Sequence, residues 1–139
     1  MSADQADLFS QAQAKYQAGD LADAADFYQR VLNKDPTHAD ALHMLGVVAY
    51  QLGQVDAAAA LLEQAIAVRS PFAEAEANLG TVLMALGRLK DAEATLSLAH
   101  DHAPDNPTIL SNLGNVHFDQ DATENAVAAY KKAVALKPD

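Results

Sequence analysis

A 34-residue internal period constrains the fold of this chain more than any other feature. Gly46, Gly80 and Gly114 stand 34 residues apart, each directly after a leucine, in a sequence of 139 residues. Residues separated by a multiple of 34 are called equivalent below. Alanine also recurs at one set of equivalent positions, Ala24, Ala58, Ala92 and Ala126. Several agreeing positions at one period indicate stacked repeats. The period predicts four of them, at 5–38, 39–72, 73–106 and 107–139.

Each repeat is predicted to fold as two antiparallel helices. In the second repeat, apolar residues recur at helical spacing over 42–52 and again over 58–66. Gly53 separates the two runs, and glycine readily adopts the left-handed conformation that ends a helix. Asp121 replaces this glycine in the last repeat and is one of the few other residues tolerated there.

The glycines inside the first helices need an energetic reason, because a mid-helix glycine costs about 1 kcal/mol relative to alanine. A glycine opposite an alanine lets two helices approach closely, and dispersion contacts across the seam offset the cost. Gly46 is therefore predicted to lie against Ala58. The same pairing is predicted for Gly80 with Ala92 and for Gly114 with Ala126.

Proline marks the boundaries between repeats. Ser70–Pro71 and Asn106–Pro107 each predict a helix N-cap followed by a proline in the first turn. Both steps are expected to begin the first helix of the following repeat.

These motifs together resemble the tetratricopeptide repeat (TPR) family, whose repeats carry Leu-Gly in the first helix, glycine at the turn, alanine in the second helix and proline at the end. The resemblance covers the chain from Gln5 onward. It implies an all-α fold, a right-handed α-solenoid of antiparallel helix pairs. Glu76 stands where the family usually has a large apolar residue, which predicts looser packing at the start of the third repeat.

Composition excludes several classes of partner. The net charge is −10, with 9 basic and 19 acidic residues, whereas nucleic acids and anionic membranes require clustered Lys and Arg. The chain has no cysteine, hence no thiolate zinc site. No apolar run is long enough to cross a bilayer, and the polar N-terminus is not a signal peptide. A cytoplasmic protein without membrane insertion is predicted.

The resemblance also implies a concave, peptide-binding surface lined by the first helix of each repeat. No Lys or Arg stands in the predicted set, so capture of acidic chaperone tails is excluded. The positions that bind such tails in the family are occupied here by Phe9, Gln13, Met44, Glu74 and Asn78. A protein or peptide partner that is neutral to basic is expected. The predicted binding residues are Phe9, Gln13, Tyr16, His43, Met44, Val47, Tyr50, Asn78, Thr81, Met84, Asn112 and Asn115.

Two details of that surface leave alternatives open. Asn78 and Asn112 precede Leu-Gly, as in the TPR arm of O-linked N-acetylglucosamine transferases, where such a ladder holds a peptide backbone; alternatively they are ordinary solvated residues. Four equivalent residues either form an apolar floor for ligand side chains or pack between helices, the second being favoured for Tyr50 and Phe118. They are Tyr16, Tyr50, Met84 and Phe118.

No catalytic or metal-binding pattern emerges. His100 and His102 stand two residues apart, which places them on different sides of a helix, so structural roles are favoured over metal ligation. His43 and His117 have no evident carboxylate partner. The absence of any nucleophile–base arrangement or phosphate loop predicts a protein that is not an enzyme and takes no cofactor.

Three functions stay open at this point. The chain is a stand-alone adaptor, the N-terminal docking arm of a larger glycosyl-, methyl- or sulfotransferase, or a scaffold that assembles end to end. The sequence stops at "ALKPD", where another helix is expected. The last helix then lacks cover, which predicts either a longer natural chain or self-association through this end. The uncovered residues are Val127, Tyr130, Val134 and Leu136.

Overall fold

A computed structural model describes residues 3–137, so the last two residues of the predicted fourth repeat lie outside it. The described residues form eight α-helices and no strand, and the predicted all-α fold is confirmed. The helices are α1 (Ala3–Gln17), α2 (Leu21–Lys34), α3 (Ala39–Gln51), α4 (Val55–Val68), α5 (Ala73–Ala85), α6 (Leu89–His102), α7 (Pro107–Asp119) and α8 (Thr123–Leu136).

The chain divides into two compact units, Met1–Ser70 and Pro71–Asp139. In the first unit α1 packs on α2, α2 on α3 and α3 on α4. In the second unit α5 packs on α6, α6 on α7 and α7 on α8, and α5 also contacts α7. Odd-numbered helices are the first helices of the predicted repeats, whose boundaries stay a prediction.

The turns inside the repeats have the predicted left-handed backbone. Gly19, Gly53 and Gly87 have φ angles of 83°, 83° and 76°. Asp121 takes the same conformation with φ at 61°, although it carries a side chain. A non-glycine residue there stores strain of order 1 kcal/mol.

A bulky side chain, rather than the predicted alanine, is the nearest neighbour of each mid-helix glycine. A Cβ atom on Gly80 would lie 2.4 Å from Cγ of Leu96, and one on Gly114 would lie 2.5 Å from Cε1 of Tyr130. The predicted partner alanine contributes only a backbone oxygen, at 3.5 Å, in the second repeat. The glycine therefore makes room for a bulky side chain of the second helix, which lies directly over its Cα.

The period, rather than proline, determines where the first helices begin. The N-caps of α3, α5 and α7 are the equivalent residues His38, Phe72 and Asn106. The Asn106 side chain accepts hydrogen bonds from the backbone N–H groups of Thr108 and Ile109, as predicted. The predicted cap at Ser70–Pro71 is wrong: these residues lie before the equivalent N-cap position, which the buried Phe72 occupies without a side-chain cap.

Candidate protein-binding surfaces

The first unit presents a half-buried apolar strip on α3. Met44, Val47 and Tyr50 follow one another at intervals of three residues and are each partly exposed, so they lie along one side of the helix. Tyr16 of α1 is also half-buried, and its hydroxyl oxygen accepts a hydrogen bond of 3.0 Å from the Gln51 amide at the end of α3. This bond links α1 and α3 beside the strip.

Other predicted residues of this unit are occupied by internal contacts. Phe9 stacks on the His38 ring with 5.2 Å between centroids and meets the Tyr28 ring edge-on at 5.7 Å. The Tyr28 hydroxyl donates a hydrogen bond to the Gln13 side-chain oxygen. Burial raises the pKa of Tyr28 to about 12, so the phenol stays neutral and keeps donating. His43 is buried, with 7% of its surface exposed, and offers little of its ring to a ligand.

The second unit places two predicted asparagines on helices that touch. Asn78 of α5 and Asn112 of α7 are equivalent residues, both partly exposed, and their helices contact each other directly. Thr81 is also half-buried, and its hydroxyl donates to the Ala77 carbonyl at 3.3 Å. Asn115 is exposed, and its side-chain oxygen accepts a bond of 2.6 Å from the Tyr130 hydroxyl.

Apolar side chains accompany this asparagine pair. Met84 is half-buried on α5, and the equivalent Phe118 on α7 has 65% of its surface exposed. The prediction that Phe118 packs between helices is therefore wrong.

The charged groups at the edge of the first unit are already paired. Arg69 donates a hydrogen bond of 2.7 Å to the Asp40 carboxylate. This bond lowers the pKa of Asp40 and raises that of Arg69. Both side chains are about half exposed, so solvent screening keeps the pair weak.

A buried glutamate paired with a partly exposed histidine, missed by sequence reasoning, lies in the second unit. Glu76 has no exposed surface, and its Oε1 lies 2.7 Å from Nδ1 of His102. Its Oε2 is buried without a hydrogen-bond partner among the described residues, as is Nδ1 of His100. The looser packing predicted around Glu76 is contradicted by its complete burial. The pairing links the first turn of α5 to the last turn of α6.

A second histidine also departs from expectation. The sequence indicates no carboxylate partner for His117, but Nδ1 of this residue lies 4.0 Å from Oε1 of Glu93. Gln120 donates to the same carboxylate at 3.2 Å. Within residues 3–137, no three His, Asp or Glu side chains gather as metal ligands. Over the same residues, no helix has both the length and the apolar character needed to span a membrane.

Comparison with known proteins identifies the family. Models described as tetratricopeptide repeat match residues 15–71, 49–113 and 107–139. The chain belongs to the tetratricopeptide repeat family. Its fold is that of a protein–protein interaction scaffold. No curated protein matches the sequence significantly.

Solved TPR structures support the same fold assignment. MamA from Desulfovibrio magneticus RS-1 is 20% identical, with 99% of this chain and 78% of that one covered and a TM-score of 0.91. The pilF protein of Pseudomonas aeruginosa is 24% identical, with 95% and 60% covered and a TM-score of 0.86. At these identities the similarity establishes the solenoid fold.

A third structure belongs to an enzyme. A mutant O-GlcNAc transferase from Thermobaculum terrenum is 30% identical, with a TM-score of 0.77. The match covers 84% of this chain and 23% of the transferase. The similarity therefore concerns one part of that protein.

Proposed function

We propose that this chain is a non-catalytic interaction module that binds an extended peptide across α5 and α7, the first helices of the two repeats in the second unit. The observation that carries the proposal is the position of Asn78 and Asn112, which are equivalent residues on two contacting helices. A primary amide both donates and accepts hydrogen bonds, so it can pair with a peptide group regardless of the ligand's sequence.

The spacing of such an amide pair suits an extended chain. Packed helices lie about 8–10 Å apart, and an extended peptide rises about 3.3 Å per residue. Asn78 and Asn112 would therefore engage peptide groups about three residues apart along the ligand. Two such contacts define the direction and register of a bound segment without selecting its side chains.

The chemistry around the pair indicates which peptides bind. Met84 and Phe118 offer apolar contact, and methionine adapts to ligand side chains of different shape. The predicted lining residues include no Lys or Arg, and the chain carries a net charge of −10. Neutral or basic segments with an apolar side chain are the favoured ligands, and acidic tails are disfavoured. The cytoplasm remains the predicted location.

A second candidate is that the chain acts as the docking arm of a larger transferase. The match to the Thermobaculum terrenum O-GlcNAc transferase at 30% identity favours it. The peptide-binding surface would have the same role in both cases, but the transferase activity would belong to another domain. An immunoblot of source-cell lysate distinguishes them: a band at the size of this chain supports an adaptor, and a much heavier band supports an arm.

Self-association through α8 is a further candidate for the partner. Val127, Val134 and Leu136 have 44%, 67% and 39% of their surfaces exposed. An exposed apolar strip of this kind favours contact with another protein surface.

Peptide arrays followed by calorimetry test whether Asn78 and Asn112 bind a peptide. The double variant Asn78→Ala/Asn112→Ala should weaken binding of an array-selected peptide by about 10- to 100-fold, because each lost hydrogen bond contributes about 1 kcal/mol. Asn125→Ala is the matched control, since Asn125 is exposed on α8 and should bind as the parent chain does. Equal affinity of the double variant and the control would refute the proposal.

A further inference from the structure

A groove with an apolar floor lies in the first unit between α2 and α4, both of which pack on α3. The groove has a volume of about 540 Å³. Its floor is a stripe of α3 residues spaced four and three positions apart, and its walls include small side chains of α2 and α4. These residues are Leu45, Ala49 and Leu52 on the floor, Ala25 on α2, and Ala57 and Ala60 on α4. This surface is called the α2–α4 groove below.

The equivalent place in the second unit is spanned by polar side chains of the chain itself. The residues equivalent to Ala25 and Leu52 are Glu93 and Gln120, and Gln120 donates a hydrogen bond of 3.2 Å to the Glu93 carboxylate. This bond links α6 to the end of α7. Ala25 and Leu52 form no such bridge, and Leu52 is left 42% exposed. The first unit therefore presents apolar surface where the second is bridged internally.

The chemistry of the α2–α4 groove favours a helical occupant over an extended one. An extended segment on this apolar floor would bury peptide N–H and C=O groups, and each unpaired group costs free energy. The surrounding helices offer no partners for them, because their interior backbone groups are already hydrogen-bonded. An α-helix brings its own peptide groups already paired. The small side chains of Ala25, Ala57 and Ala60 leave room for a ridge of such a helix to pack against α3.

Carboxylates on α4 indicate the charge of the occupant. Asp56 and Glu63 stand four residues before and three residues after Ala60, so they lie beside it on the helix surface. Both are exposed, and neither has a hydrogen-bond or ion-pair partner among residues 3–137. Helix α4 contains no Lys or Arg. This edge of the groove is therefore negative and complements Lys or Arg side chains of a partner.

We infer that the α2–α4 groove binds an amphipathic helix of a partner protein, with an apolar ridge against α3 and Lys or Arg residues beside Asp56 and Glu63. This site goes beyond the proposed peptide-binding surface and is independent of it, since the two lie in different units. The stripe from Leu45 to Leu52 spans seven residues, about 10 Å. About two turns of the partner helix therefore supply the apolar contact, and the complex is of the small, transient class.

A display selection followed by calorimetry tests the inference. The probe is a library of helix-forming peptides with apolar residues fixed at intervals of three and four, and with Lys, Glu or Gln at every other position. Selection on the parent chain should yield binders with Lys beside the apolar stripe. A library that yields no binder, or binders with Glu at these positions, would contradict the inference.

A groove-filling variant locates the selected helix. Ala25→Glu/Leu52→Gln copies the bridge of the second unit into the first and should weaken binding by about 10-fold or more, because apolar contact with the floor is lost. The added carboxylate alone would attract a basic helix, so such a loss is not an effect of net charge. Peptide binding through Asn78 and Asn112 should be unaffected. Equal affinity of the helix for the parent and this variant would overturn the inference.

A second variant tests the charged edge. Asp56→Asn/Glu63→Gln should weaken binding by about 2- to 10-fold at low salt, since exposed ion pairs are individually weak. The matched control Asp101→Asn/Glu124→Gln removes two exposed carboxylates of the second unit and should bind the helix as the parent does. Circular dichroism should show unchanged helix content in all variants. Equal weakening by the two carboxylate variants would reduce the effect to net charge and refute the assigned edge.

Discussion

Replacing Glu76 with leucine should stabilise the second unit, although it removes a 2.7 Å contact with His102. The equivalent residues Leu42 and Leu110 are buried, with 3% and 4% exposed, so a leucine has a precedent at this position. The buried Oε2 has no partner among residues 3–137, which costs about 1–3 kcal/mol of desolvation. The His102 side chain is 25% exposed and can bond to water instead.

The magnitude follows from these terms. A leucine at this position leaves no buried polar atom without a partner, whereas an unsatisfied buried polar group costs about 1–3 kcal/mol. Because one carboxylate oxygen is unsatisfied, we expect Glu76→Leu to raise the free energy of unfolding by about 1–3 kcal/mol. His102→Ala alone should lower it by about 1–3 kcal/mol, since it also removes the hydrogen-bond partner of the buried Glu76 Oε1.

Urea unfolding followed by circular dichroism measures both effects, with stability taken from the linear dependence on urea. The double variant Glu76→Leu/His102→Ala completes a thermodynamic cycle. In that background the cost of losing His102 should fall below about 1 kcal/mol, because no carboxylate is left unpaired. If Glu76→Leu destabilises the protein, or His102→Ala costs the same in both backgrounds, the pair is a net stabilising one and the reasoning fails.

Three further predictions concern local features. Gly80→Ala should destabilise by about 1–3 kcal/mol in calorimetry because the new Cβ meets Leu96; stabilisation, as helix propensity alone predicts, would contradict this. Asp121→Gly should stabilise by about 1 kcal/mol by relieving the positive φ, and an unchanged melting temperature would exclude stored strain. Arg69 lowers the pKa of Asp40, so the pair stabilises the fold above the unfolded-state pKa of about 4 and loses this effect as pH falls through the lower folded-state pKa. Asp40→Asn should therefore reduce stability slightly at pH 7 and flatten its decline at acidic pH, whereas parallel stability–pH curves would show the pair to be inert.

The helices and turns were predictable because each is encoded locally. The glycines at the turns and the Asn106–Pro107 step are short-range signals, and the structure confirms the left-handed turns and the helix N-cap that they predict. The local Ser70–Pro71 motif misplaces the start of α5, whereas the 34-residue period indicates its N-cap correctly at Phe72.

Contacts between distant residues were harder to predict. Glu76 and His102 are 26 residues apart, and neither residue alone signals the other. Likewise, Ala92 and Leu96 lie on the same face of α6, one turn apart. Which of them meets Gly80 therefore depends on the position of α6 along its axis relative to α5, and helical periodicity does not define that position. The peptide-binding surface remains a prediction, since a partly exposed asparagine has the same appearance with or without a ligand.

The cap of α7 has a consequence for the order in which the chain folds. Forming the first turn of a helix is its slow, unfavourable step. Asn106 and Pro107 pre-organise that turn in α7, whereas α5 begins at Phe72 without a side-chain cap. The α7–α8 hairpin, built from contacts close in sequence, is then the natural folding nucleus of the second unit. In stopped-flow refolding, Asn106→Ala should slow folding more than it speeds unfolding, and the opposite partition would place the nucleus elsewhere.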